Sequence, residues 1–130
     1  MGAKQSNSRT ELKDHPMLDP AAPLQVGGVD FPTYHDEYFA RVREYYGVTP
    51  GFLGPFSFEL KPVGNMSEGG GKGGNLIGFS NDKMFLVKEL NKTDHNTLIK
   101  IADEYADHMT HHDGTLLCTV LAHFYHPERE

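Results

Sequence analysis

Cysteine is nearly absent. Cys118 stands alone in 130 residues, so no internal disulfide can form and the chain suits a reducing compartment. No stretch is long and apolar enough to span a bilayer, and no apolar core of a secretory signal is present. Positive charge is also scarce: 12 Lys and Arg stand against 18 Asp and Glu, a formal net charge of −6. That balance argues against a nucleic-acid binder with a broad basic face. The deficit is uneven. Within residues 1–13, Lys4, Arg9 and Lys13 face only Glu11, a local +2 that leaves −8 on the remainder.

What is present suits one modest domain with its own core. A hydrophobic fraction of 38% with 14 Tyr and Phe excludes global disorder, while 14 Gly and 8 Pro predict several loops. Residues 1–30 are rich in Ser, Asn, Asp, Pro and Gly without periodicity and read as a flexible arm, with order beginning near Asp30. The arm opens Met1-Gly2-Ala3-Lys4-Gln5-Ser6, the N-myristoylation pattern, in which Gly2 becomes the acylated terminus and Ser6 fills the small hydroxyl position. An ordinary cytosolic start reads the same way, and a single acyl chain would need a second membrane-facing element to hold.

From Thr33, "TYHDEYFARVREYYG" sets Tyr38, Val42 and Tyr45 at helical spacing, with Thr33 as N-cap and Gly47 as stop, predicting a helix over about 34–46. "FSFEL" alternates Phe56, Phe58 and Leu60, and "NLIGFS", the turn "NDK" and "MFLVK" follow, so the centre reads as three antiparallel strands. Thr93 or Asp94 can cap a second helix, whose apolar face is Leu98, Ile101, Ala102, Tyr105 and Met109. "TLLCTVLAHFY" predicts one further strand, or two with a bend, in which Cys118 is a small buried side chain, and 127–130 is a tail.

Between the first two central strands lies "GGGKGG". A P-loop fails here, because Met66 and Gly73 occupy the places of its first glycine and its hydroxyl. The pattern G-x-G-x-x-G is met by Gly69, Gly71 and Gly74, although a run so rich in glycine satisfies almost any such spacing. Order along the chain adds weight: strand, glycine loop, strand, tight turn, strand ending in a lysine, amphipathic helix. In protein kinases that order folds the loop over nucleotide phosphates, and the third strand's lysine reaches them. "FLVK" places Lys88 in that position. The plain alternative is a solvated lysine at a strand end. Strand alternation puts Lys88 and Leu86 on one face and Phe85 and Val87 on the other, which gives Lys88 the apolar neighbour expected of a cleft wall.

"FARVREYYGV", "GGGKGGNLIGFSNDKMFLVKEL", "DHNTLIKIADEYADHM" and "TLLCTVLAHFY" together resemble, in order and spacing, the amino-terminal lobe of phosphatidylinositol phosphate kinases, over about residues 31–126. The resemblance matches Gly71 and Gly74 to the loop glycines, Ser80 and Asp82 to the hairpin, Phe85 to the strand anchor and Lys88 to the phosphate-binding lysine. It also matches Asp94, Leu98, Tyr105, His108, Thr115, Leu116 and Leu117. It implies an α+β fold, an antiparallel sheet of about five strands with flanking helices. The implied activity is ATP-dependent phosphorylation of the inositol ring of a phosphoinositide. Gly71, Gly73, Gly74 and Lys88 would hold ATP, and Asp94 would steady Lys88, with Glu104 as second choice.

The departures from the family pattern are specific. Gly73 and Asn75 replace loop serines, Asp94 is one methylene shorter than the family glutamate, and Cys118 to Ala122 replace a Pro-Arg-Phe-x-Gly-like stretch. The resemblance places the catalytic aspartate, the magnesium ligands and the lipid-selecting loop in a carboxy-terminal lobe that this sequence does not reach, so no catalytic residue is assigned and the chain alone is expected to be inactive. The implied setting is the cytoplasmic face of a phosphoinositide membrane, peripherally attached, with a homodimer left open and no nucleic acid. A rival from another class is a non-catalytic, acyl-anchored adaptor that keeps the lobe as a docking or dimerisation surface.

Histidines offer a competing chemistry. His108, His111 and His112 lie one turn apart, with His123 and His126 further on, so a zinc site is geometrically conceivable. No acid or thiol completes a recognised spacing, and a helix C-terminus favours histidine by its dipole alone. No metal ligand is therefore assigned.

Overall fold

The computed structural model describes residues 17–56, 60–62, 76–112 and 115–127. Two strands open the described chain, β1 (Leu18–Val26) and β2 (Val29–Tyr34), followed by helix α1 (Asp36–Tyr45). Then come β3 (Lys61–Pro62), β4 (Leu76–Phe79), β5 (Leu86–Lys88) and helix α2 (Lys92–His111). The class is α+β, but the strands divide between an antiparallel pair β1–β2 and a three-stranded antiparallel sheet β3–β4–β5, in place of one sheet of about five.

The β1–β2 hairpin lies where the composition suggested a flexible arm. Val26 pairs with Val29 across a two-residue loop, and Gly27 and Gly28 both take positive φ, 60° and 84°, the geometry of the turn that matches strand twist. Pro20 and Pro23 hide the strand in the sequence, since proline cannot donate to a ladder; the register shifts between Asp19 and Leu24, the irregularity that accommodates them. Thr33 is not a helix cap. It is buried in β2 and its hydroxyl donates to the Ala22 carbonyl at 2.7 Å, while His35 takes the cap position with a left-handed backbone and no side-chain cap bond.

Helix α1 ends as Gly47 predicts. Gly47 N–H donates to Glu44 O and Val48 N–H to Arg43 O, the paired closure that a glycine at φ 71° permits. Helix α2 starts earlier than expected: Asn91 caps it, its Oδ1 accepting from the Asp94 N–H at 2.7 Å, in place of Thr93 or Asp94.

Phe39 and Val42 of α1 meet Ala102, Tyr105, Ala106 and Met109 of α2 to form the core, with Tyr38, Leu98, Val120 and Leu121 packed around it. Ala102 and Ala106 are small enough to let α1 approach, whereas Ile101, expected on this face, is exposed. Each fully buried Phe or Val contributes about 1.5–3 kcal/mol. The core cluster contains no residue of β3, β4 or β5, so α2 buries its apolar face on α1 rather than on the sheet.

Residues 115–127 form no named strand among the described residues. They run over the helical core and meet β2 at a single antiparallel bridge, Thr33 with Phe124. Tyr34 N–H donates to His123 O and Tyr125 N–H to Pro32 O, both at 2.9 Å. Arg43 holds the segment from α1: it donates to the Leu121 carbonyl at 2.8 Å while forking onto both oxygens of Asp36 at 2.8 and 2.9 Å. From α2, the Tyr105 hydroxyl donates to Cys118 O and accepts from Val120 N–H. Burial pushes the Tyr105 phenol up, so it stays a neutral donor. Cys118 is exposed, which corrects its reading as a buried strand residue.

Candidate nucleotide site at the open sheet

Lys88 closes β5, and its cross-strand partner on β4 is Ile77. Two residues back on the same strand face, Leu86 pairs with Phe79. Leu86 is 50% and Phe79 55% exposed, although both are large apolar side chains in the pair next to the hairpin turn. Phe85 and Val87, on the opposite face, are half-buried, and Phe85 packs edge-on against Phe52 at 5.1 Å and beside Phe56 at 6.2 Å. The alternation read from "MFLVK" is therefore the one observed: one face is anchored by aromatic contacts, and the other leaves Leu86, Phe79 and the exposed Lys88 side by side.

Ser80 and Asp82 build the turn that sets this geometry. Ser80 Oγ donates to Asp82 Oδ1 at 2.7 Å and accepts from Phe85 N–H at 3.1 Å, and Asp82 Oδ1 also accepts from Met84 N–H at 3.0 Å. Lys83 takes a left-handed backbone, φ 61°, to complete the reversal. The Ser80 hydroxyl, followed by the Met84 amide, holds the Asp82 carboxyl below the usual carboxylate range.

Gly71, Gly73 and Gly74 lie outside the described residues, as does Gly2. Their chain attachments do not. The glycine-rich segment leaves β3 after Pro62 and enters β4 at Leu76, and those two residues pair with each other. Leu76 O accepts the Glu89 N–H at 2.9 Å, immediately after Lys88. Antiparallel topology thus places both roots of the glycine segment and Lys88 at one end of the sheet.

The predicted acids do not reach Lys88. Among the described residues no ion pair joins Lys88 to Asp94 or Glu104; Asp94 is exposed in the first turn of α2 and Glu104 is exposed further along it. The cause is the packing of α2 on α1, which holds the helix by its own apolar face.

Among the described residues no three His, Cys, Asp or Glu side chains converge to hold a metal ion. The α2 histidines are engaged locally. His108 Nε2 bonds Thr115 Oγ1 at 2.8 Å and its ring stacks on His112, His111 Nδ1 donates to Asp107 O, and His112 Nδ1 donates to His108 O. Sequence reading missed His95, which contacts His123 from 28 residues away. No local spacing signals such a contact.

The sheet thus carries Lys88 at one end, an exposed apolar pair on the same face and a glycine segment rooted at the end of Lys88. A family model described as phosphatidylinositol-4-phosphate 5-kinase matches residues 60–128, more than half of the chain, and the chain belongs to that family. No curated protein and no solved structure matches it. No helix among the described residues is long and apolar enough to cross a membrane.

Proposed function

We propose that the chain is the ATP-binding lobe of a phosphoinositide kinase, acting at the cytoplasmic face of a membrane. One observation carries the reading: Lys88 and both roots of the glycine segment share one end of the β3–β5 sheet, and the exposed pair Phe79 and Leu86 lies on the face of Lys88, toward the turn. Apolar side chains left open beside a cation suit a ligand with a flat ring at one end and phosphates at the other. In this reading Leu86 and Phe79 cover the base, Lys88 neutralises phosphate charge, and backbone amides of Gly71, Gly73 and Gly74 approach the phosphates, where side chains would obstruct them.

Asp94, or Glu104, would steady Lys88 once α2 swings toward the sheet. Magnesium supplies charge neutralisation in phosphoryl transfer, yet the described acids do not gather into a site for it, so its ligands and the catalytic base are assigned outside this set of residues. Attachment would combine an acyl chain at Gly2 with contacts to phosphoinositide headgroups.

The adaptor reading draws support from one feature: α2 is committed to α1, which leaves Lys88 without its carboxylate. Amide NMR of the chain titrated with ATP to millimolar concentration separates the two. Shifts centred on Leu76, Leu86 and Lys88, and lost in Lys88→Ala, support nucleotide binding. A titration that leaves those amides unmoved favours the adaptor.

A further inference from the structure

We propose that the ring pair His95–His123 is a proton-operated latch that holds residues 115–127 on the helical core at neutral pH and releases them on acidification. Neither histidine belongs to the nucleotide face. His95 Nδ1 and His123 Nε2 lie 3.0 Å apart, a hydrogen bond that one proton makes and two protons break, because both nitrogens would then be donors.

His123 is enclosed by rings, none of which carries a negative charge to offset its cation. From β2, the Tyr34 ring lies 4.6 Å away, and His35 follows it in the chain; from α1, Phe39 lies edge-to-face with it at 6.4 Å; from α2, His95 crosses at 4.9 Å. The charged pair on α1, Arg43 with Asp36, is engaged with itself and with the Leu121 carbonyl. His95 sits in the first turn of α2, whose dipole also opposes a positive charge. His123 is only 6% exposed, and its Nδ1 is buried without a hydrogen-bond partner among the described residues, so a proton added there meets no acceptor. Burial, followed by the repulsion of His95 and His35, depresses His123 to about 3, which agrees with this packing.

The rings sit where release has a mechanical consequence. His123 O accepts the Tyr34 N–H, and Tyr125 N–H donates to Pro32 O, so the backbone on either side of Phe124 is tied to β2 through the residues that flank the latch. Expelling a charged His123 ring pulls on both bonds.

Amide exchange on the full chain reads the latch at about pH 7.5 and about pH 5. Corrected for the intrinsic pH dependence of exchange, protection at Tyr34 and Tyr125 is expected to fall about tenfold or more at the lower pH. Equal protection at both pH values overturns the proposal. His95→Asn keeps a hydrogen-bonding group at the Nδ1 position without a second basic ring, and is expected to move the loss of protection to lower pH; an unmoved midpoint overturns the pairing. Should the variant not fold, ring-nitrogen NMR of the unaltered chain decides. Two neutral rings sharing one proton, titrating together, support the latch, and two independent rings titrating near 6.5 refute it.

Discussion

The two halves of the molecule treat apolar side chains in opposite ways. Around α1 and α2, Phe39, Val42, Ala106 and Met109 are fully buried, and every strap across them is tied by hydrogen bonds from Arg43, Tyr105 or Tyr34. In the β3–β5 sheet, Phe79 and Leu86 stand open beside Lys88, while Phe85 is anchored on the other face by Phe52 and Phe56. Helix and hairpin carry stability, and the sheet keeps one apolar face uncovered. Large apolar groups exposed next to a cation cost the free chain solvation free energy that a ligand recovers on binding.

Substitutions can break this contrast in a graded way. Phe39→Ala is expected to cost the most, about 3–5 kcal/mol, since α1 and α2 close tightly over the ring; urea unfolding measures it. Arg43→Ala should follow at about 2–3 kcal/mol, because Arg43 and Asp36 are each only 17% exposed and removal strands the carboxylate and the Leu121 carbonyl.

Acidification comes next. A buried histidine whose folded value is depressed to about 3 from 6.5 binds its proton more readily in the unfolded chain. Stability is therefore full above about 6.5 and declines as pH falls from there toward 3, by on the order of 1–2 kcal/mol between pH 7 and pH 5. Unfolding midpoints at the two pH values read this directly. Asn91→Ala should cost about 1 kcal/mol by removing the cap on the Asp94 amide. Lys88→Ala should leave stability within about 0.5 kcal/mol, since the side chain is exposed and joins no ion pair among the described residues, while nucleotide binding is lost.

Local patterns were legible in the sequence, and long-range ones were not. The spacing of Tyr38 and Val42 with Gly47 identified α1, and the run from Leu98 to Met109 identified α2, because helix period and glycine closure are properties of neighbours. The β4–β5 hairpin was readable for the same reason from the turn "NDK", whereas the place of Ser80 and Asp82 in it came from the family resemblance. The β1–β2 hairpin was missed because Pro20 and Pro23 outweighed the Gly27-Gly28 turn in a segment without alternation. That two small sheets replace one, that Cys118 faces solvent and that Tyr105 receives the Val120 amide all depend on contacts between distant segments. Lys88 was singled out by strand position and family resemblance, whereas its separation from Asp94 depends on how α2 packs, which no spacing encodes.

Lys88 is proposed above as a phosphate-binding position on the open face. Its most direct test is labelling by an acyl phosphate of ATP, which transfers its acyl group to a lysine held near the bound phosphates, with the modified residue mapped by mass spectrometry. Labelling is expected to concentrate at Lys88 and to be suppressed by excess ATP. Labelling spread evenly over Lys61, Lys83 and Lys88, and indifferent to ATP, would contradict it.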